Sequence, residues 1–423
     1  MPKFLHAADL HLDSPMRSLD VFGDGAAGRL RNASREALRR MVDCALDQDV
    51  AFVVIAGDLF DVAHPSVETT LHLVDQLRRL SQRRIPVFIV RGNHDFHARG
   101  SGRLWPEGVH EFSSERAERI VLDDLRVVVH GMSYPTQAVQ HDLTPGYAPP
   151  TQGHLDIGVL HTALEGYAGE HATYAPVTPA GLAAKGYGYW ALGHVHAFMS
   201  LQQGPSRIVY PGNLQGRHVR EKGRKGVVVV TYEGSAIRAV DHVPCDVVRW
   251  HDIHVEPPEG SLSAQLGHVA REIRGKLAED EADQVDSAVR VRLAGLGAEG
   301  EALGPRGRRD RLREALRADC GTRVLLEEVQ LAESARLDLP GALADSVASA
   351  RRHLLAQPRD GDLAKFATGL WERLGAIEAS RTGARSVRDV LAERLGVEDA
   401  ASLRRRCIEL GAARLAACLA EKT

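Results

Sequence analysis

The sequence predicts a four-layer α/β/β/α sandwich, followed by a small α+β domain and a helical C-terminal segment. Three observations predict it. Up to about residue 120, short apolar runs alternate with amphipathic stretches at helical spacing. From there to about 245, apolar runs follow one another with few helices between them. After Pro244 the composition shifts, first to alternating strands with two helices and then, past Pro340-Gly341, to helical spacing alone. The first pattern implies parallel strands with crossover helices. Two half-sheets packed face to face, each covered outside by helices, accommodate both halves of the first 245 residues.

The elements follow in order. Lys3 to Ala8 is a strand. Leu30, Ala33, Ala37, Leu38, Met41, Val42 and Ala45 recur at helical spacing, which predicts a helix over roughly 26–48. Ala51 to Ala56 is apolar throughout, as expected of a strand buried on both faces. Ser66 is placed to cap a helix carrying Val67, Leu71, Val74 and Leu77 on one face. Pro86 to Val90 is the next buried strand. Further strands are predicted at 127–129, 157–160, 190–192, 208–210 and 227–230, with 135–153 a long loop.

Beyond Pro244 the alternating run 248–255, a helix near 262–279, the strand 288–293, an Arg-rich helix at 307–318 and the strand 323–326 make the α+β domain. Residues 341–423 carry i, i+3, i+4, i+7 stripes such as Leu363/Phe366/Leu370/Leu374. The expected boundaries are 1–245, 246–335 and 336–423.

Composition narrows the function classes. The chain has 423 residues with 44% hydrophobic and 26% charged content, enough for a large core without staples. Aromatics at 5% argue against a surface that stacks bases along its length. A net charge of −3 argues against coating nucleic acid by charge alone. It does not exclude a nuclease, whose metals bring positive charge into the site. Five scattered cysteines without a CxxC suggest reduced thiols in a cytoplasmic protein. No signal peptide is recognised, and no apolar run approaches the ~20 residues of a membrane span.

Five motifs sit at the ends of predicted strands: Asp9-Leu10-His11, Gly57-Asp58-Leu59-Phe60-Asp61, Gly92-Asn93-His94-Asp95, a lone His161, and Gly193-His194-Val195-His196. Singly, each is compatible with an ordinary turn. In order, each after a buried strand, they assemble the donors of a dinuclear metal site. A carboxylate such as Asp58 can bridge two cations about 3.5–4 Å apart. Asn93 offers a carbonyl oxygen, and His161, His194 and His196 offer imidazoles. Mixed O/N ligation suits two Mn²⁺ ions best, with Fe²⁺ or Zn²⁺ also compatible. Asn93 would face the metals, so His94 from the same turn is expected to act as general acid or phosphate contact. Asp61 is expected to hold it oriented and protonated.

The motif order DxH, GDxxD, GNHD, H, GHxH resembles the calcineurin-like metallophosphoesterase superfamily over residues 1 to about 240, which implies that family's sandwich fold. The resemblance implies that Asp9, His11, Asp58 and His196 hold one metal. Asp58, Asn93, His161 and His194 would hold the other, with His94 beside the leaving group and Asp61 behind it. A narrower similarity is to the SbcD- and YhaO-type DNA repair exonucleases. It rests on Phe4 to Pro15, on 160–166, on Tyr189 to His196 and on Tyr210-Pro211-Gly212-Asn213. It implies that 246–335 is a capping domain over DNA and that the C-terminal helices dock on an SMC-like coiled-coil ATPase. Those helices equally fit a self-contained bundle, and a homodimer is compatible.

The expected reaction is hydrolysis of DNA phosphodiester bonds by metal-activated water, with His94 protonating the leaving oxygen for about 10²–10⁴-fold. DNA contacts are expected from Arg217, His218, Arg220, Lys222, Arg224 and Lys225, and less so from Arg306, Arg308, Arg309, Arg311 and Arg313. Both runs are also compatible with a solvated charged face. The alternatives are a small-molecule nucleotide phosphodiesterase or phosphatase, and a catalytically silent DNA-tethering subunit. Asp95 after His94 leans against a protein phosphatase, which usually carries Glu there. No Gly-x-x-x-x-Gly-Lys-[Ser/Thr] is present, so any ATPase is another chain.

Overall fold

The structure is a computed structural model, and it describes residues 1–14, 30, 32–61, 65–96, 105–166, 174–258, 260–282, 285–294 and 305–331. The helices expected in 336–423 lie outside the described residues.

Two six-stranded sheets form the centre. The first has the order β12-β11-β1-β2-β3-β4. Its strands are β1 (Lys3–Ala7), β2 (Phe52–Ala56), β3 (Val87–Val90), β4 (Val109–Glu111), β11 (Gly226–Glu233) and β12 (Ala236–Pro244). Strands β1 to β4 run parallel, and β11 and β12 close one side antiparallel. The second has the order β5-β6-β7-β8-β10-β9. Its strands are β5 (Glu118–Leu122), β6 (Val127–Gly131), β7 (Leu155–His161), β8 (Tyr189–Gly193), β9 (Met199–Gln203) and β10 (Ser206–Tyr210).

The period of two along each strand divides the core. On β1 and β2, Phe4, Ala8, Phe52 and Val54 face the space between the sheets, where they meet Val129, Ile157, Val159 and Tyr189. Leu5, Ala7, Val53 and Ile55 face the opposite way, against Ala37, Leu38, Met41, Leu73 and Leu77. A strand buried on both faces needs apolar residues at every position, which is why these runs do not alternate. His6 is the exception. Its ring bridges the sheets, 3.0 Å from the Tyr189 hydroxyl and 3.2 Å from the Leu192 carbonyl.

The outer helices of the first sheet are α1 (Ala33–Asp47) and α2 (Val67–Gln82). The buried stripe of α1 is the one expected; of the expected range 26–48, residues 26–29 and 31 lie outside the described residues. Ser66 caps α2 by accepting from Thr69 N. The expected apolar face of α2 needs correction. Val67 and Leu71 are 76% and 56% exposed, and the buried stripe is Thr69, Leu73, Val74, Leu77 and Leu80. Two apolar stripes compete on this helix, and the longer one, with Leu73, Leu77 and Leu80, turns to the core. The outer face of the second sheet is covered by the short α3 (Pro179–Ala184) and by the 135–153 loop. That loop buries its own Val139, Leu143 and Tyr147 against Trp190 and Leu160.

After Pro244 come β13 (Val248–Val255), α4 (Leu262–Glu279), β14 (Asp286–Leu293), α5 (Pro305–Cys320) and β15 (Val324–Leu331), with sheet order β13-β14-β15. Trp250 anchors this sheet. It packs with Leu30, Ala33, Val219, Ala288 and Leu325, and its Nε1 donates to Gly216 O at 2.9 Å. No helix among the described residues is long and apolar enough to cross a membrane.

Candidate metal centre

The five motifs converge at the C-terminal ends of β1, β2, β3, β7 and β8. The turn after β1 is stitched to the turn after β2 by Asp9 N to Gly57 O and His11 N to Asp58 O, each 3.0 Å. Asp95 joins the third turn, accepting from Leu59 N at 2.9 Å and Gly92 N at 2.7 Å. His194 N donates to both Asp9 oxygens. Asp9, His11, Asp58 and His194 all have positive φ (53°, 42°, 53° and 102°). Strained backbone at non-glycine positions persists where the surroundings over-determine it, and it clusters at functional sites. Glycines make room on the other side. A Cβ at Gly193 would overlap the Ala56 carbonyl, and one at Gly92 would overlap the Asp58 carboxylate.

The side chains form interlocking groups whose ligand atoms lie within 4.8 Å of one another: Asp9/His11/His196, His11/Asp58/His94 and Asp9/Asp58/His161. Asp9, His11 and Asp58 each belong to two of these groups, so the three clusters share their ligand atoms. Asn93 Oδ1 lies 3.0 Å from His161 Nε2, and the His194 ring centroid is 5.2 Å from that of His161. His11 Nε2 and His196 Nε2 face each other at 3.1 Å. Two nitrogens bound to one ion at about 2.1 Å and near a right angle lie about 3 Å apart, so this pair fits a shared cation.

The electrostatics agree. Burial pushes the Asp9 carboxyl up to about 8, with Asp58 adding to the rise and His161 opposing it. Burial would also raise Asp58, but the charge and hydrogen bond of His161 and the charges of His11 and His94 outweigh it, so its carboxyl is held low. Against its own burial, His161 is held up to about 9 by Asp58 and Asp9. Buried carboxyls packed against a buried imidazole in this way hold protons that a divalent cation can displace. The donor set therefore fits a dinuclear centre.

His94 is 40% exposed and reaches the same cluster. Its backbone N donates to Asp58 Oδ1 at 3.0 Å, and its Nδ1 is 3.4 Å from Asp61 Oδ1. Asp61 serves more than His94. Its Oδ1 is nearer to His11 Nδ1 (3.1 Å) and to Arg217 Nη1 (3.0 Å), and its Oδ2 accepts from Ser14 Oγ at 2.8 Å. The basic run divides. Arg217 is half-buried and Lys225 is buried, with Lys225 Nζ donating to His196 O. Arg220, Lys222 and Arg224 are at the surface, Lys222 being 4.0 Å from Asp252 and Arg224 3.1 Å from Glu281. His218 lies 3.7 Å from Glu221. Of the second run, Arg313 is half-buried; the side chains of Arg306, Arg308, Arg309 and Arg311 are outside the described residues.

The match to known proteins follows this geometry. The Calcineurin-like phosphoesterase family matches residues 2–198. The uncharacterized metallophosphoesterase YhaO of Bacillus subtilis is 35% identical over 320 residues, covering 74% of this chain and 76% of its own. The chain belongs to the calcineurin-like phosphoesterases. Archaeal proteins named DNA double-strand break repair protein Mre11 also match. That of Methanopyrus kandleri is 28% identical over 46% of this chain and 44% of its own. That of Sulfolobus acidocaldarius is 26% identical over 46% and 50%. The match thus spans about half the length of these two relatives. As a member of the family the chain is a hydrolase of phosphoester bonds with a dinuclear metal centre.

The residues missed in the sequence lie just outside the motifs. Glu221 is buried and pairs with His196 and Arg217, and Asn213 donates to Glu221 at 3.0 Å. Asn213 was visible only inside the Tyr-Pro-Gly-Asn resemblance. The signal for Glu221 was its isolation as an acid within a run of bases.

Proposed function

We propose that this phosphoesterase is a phosphodiesterase that cuts DNA, a repair exonuclease or endonuclease using two Mn²⁺ ions. The observation that carries the phosphoester-cleaving reading is His94, its side chain 40% exposed beside Asp58 and 3.4 Å from Asp61, where it can protonate a leaving alkoxide such as a sugar oxygen. Asp9, His11, Asp58, Asn93, His161, His194 and His196 would hold two divalent ions, which would supply Lewis-acid charge and lower the pKa of a water at the site. His94 protonates the leaving oxygen, Asp61 orients the ring, and Asn93 contributes an amide at the charged side of the reaction. DNA as substrate is supported by the names of the Mre11 relatives and by surface-exposed Arg220, Lys222 and Arg224 just after the last ligand motif. Residues 246–335 are proposed to cap the DNA, and 336–423 to dock an SMC-like ATPase.

The test compares release of nucleotides from duplex DNA ends with hydrolysis of bis-nitrophenyl phosphate, both with Mn²⁺. The expected result is activity on both. In His94→Ala, Mn²⁺ uptake should stay intact while turnover falls about 10²–10⁴-fold. Activity on the small ester alone would point to a nucleotide phosphodiesterase. Loss of Mn²⁺ in the variant would make His94 a ligand instead of an acid.

A further inference from the structure

Glu221 sits directly behind His196 and is 7% exposed. Its Oε1 lies 2.8 Å from His196 Nδ1. Its Oε2 accepts from Arg217 N at 2.8 Å and from Asn213 Nδ2 at 3.0 Å. The Arg217 guanidinium, itself 16% exposed, spans from Glu221 Oε1 (2.8 Å from Nη2) to Asp61 Oδ1 (3.0 Å from Nη1). Every oxygen of Glu221 therefore has a partner, and the carboxylate cannot swing away without orphaning buried donors.

The arrangement decides the tautomer of His196. Its Nδ1 lies 2.8 Å from Glu221 Oε1 and 3.2 Å from Arg217 Nη2. Guanidinium nitrogens only donate, and Nη2 already has Glu221 Oε1 as a closer acceptor. The proton on Nδ1 therefore goes to Glu221, which leaves a lone pair on Nε2. That atom is the one facing His11 Nε2. A carboxylate behind an imidazole fixes ring orientation and raises its basicity as a ligand.

We propose that Glu221, gripped by Arg217 and Asn213, is a positioning residue that holds His196 as an Nε2 donor to the metal centre, and that Arg217 extends the same grip to Asp61 beside His11 and His94. On this reading Arg217 belongs to the interior scaffold of the site and not to a surface that touches DNA. The inference rests on the dinuclear reading of the centre.

The test titrates the full chain, stripped with a chelator, with Mn²⁺ alone, reading free ion by electron paramagnetic resonance. Wild type should take up two ions. Glu221→Ala should keep one near wild-type affinity and bind the other about 10–100-fold more weakly. Glu221→Gln keeps an acceptor for the Nδ1 proton and should lie between them; it also carries the test if the alanine variant does not fold. Nitrogen chemical shifts of labelled histidines should show His196 protonated on Nδ1 in wild type and mixed in Glu221→Ala, a change that a merely structural role would not produce. Two ions at wild-type affinity in both variants would overturn the proposal. So would equal weakening of both sites together with a lower melting temperature. Wild type binding fewer than two ions would remove the dinuclear reading and this inference with it, whereas a failure confined to the variants removes the inference alone.

Discussion

The two sides of the candidate metal centre are held by different means. On the His161 side the supports are main chain and close packing. His161 Nδ1 is 2.9 Å from the Ala56 carbonyl, and Gly57, Gly92 and Gly193 press against its ring with no room for a Cβ. On the His196 side the supports are charged side chains: Glu221, Arg217 and Asp61. Packing against backbone leaves a small residue at a fixed place, so it is written into the motifs themselves. A side-chain network can be assembled from any positions that fold together, so it leaves little local trace. One side is therefore expected to fail abruptly when altered, and the other by degrees.

Gly193→Ala should break the packed side outright. The added methyl meets the Ala56 carbonyl, a backbone atom that cannot turn aside, and it also crowds the His161 ring. The expected cost is on the order of 4 kcal/mol or more, with loss of Mn²⁺ uptake. A chemical denaturation curve beside a metal titration checks it. A variant that melts and binds like wild type would show that the packed side has slack, and the contrast would collapse.

Asp95→Ala addresses the joint between the second and third turns. Asp95 is 1% exposed, and its loss orphans the Leu59 and Gly92 amides. Two buried donors without partners should cost about 3 kcal/mol. The damage should appear first at Asn93 and Asp58, so Mn²⁺ affinity should fall before the protein unfolds. If unfolding and metal loss coincide across urea concentrations, the turns and the sheets form one cooperative unit.

This contrast also explains what could be seen in the sequence. Phe52 to Ala56 and Val87 to Val90 announced themselves because burial on both faces forbids polar residues, and the motifs then fell at their ends. The face of α2 is ambiguous in the sequence because Val67, Leu71 and Val74 form a stripe as regular as Leu73, Leu77 and Leu80, and only the sheet beneath decides which is buried. Arg217 and Lys225 looked like surface charge because a basic run gives no sign of the acid it will enclose. Arg217 is drawn inward by Glu221, which meets His196 across 25 residues of chain, and Lys225 by the His196 carbonyl.

His6 provides the mildest test, because it ties the strand that leads into Asp9 to the strand that leads into His194. It hydrogen-bonds across the inter-sheet core, and burial pulls its imidazole down to about 3, partly offset by its hydrogen bond to the Leu192 carbonyl. The unfolded chain takes up that proton near pH 6.5, so it binds more protons than the folded chain between about pH 6.5 and 3. Stability should therefore fall as the pH drops through this window, by about 1 kcal/mol from pH 6.5 to 5.5 for this one group. His6→Gln keeps donors and acceptors but cannot titrate. Subtracting its denaturation free energies from those of wild type across the pH range isolates the slope. If the two proteins lose stability in parallel, His6 is not the acid-sensitive tie between the sheets. The two sides of the centre would then be joined mainly through the turns that Asp95 and Asp9 hold together.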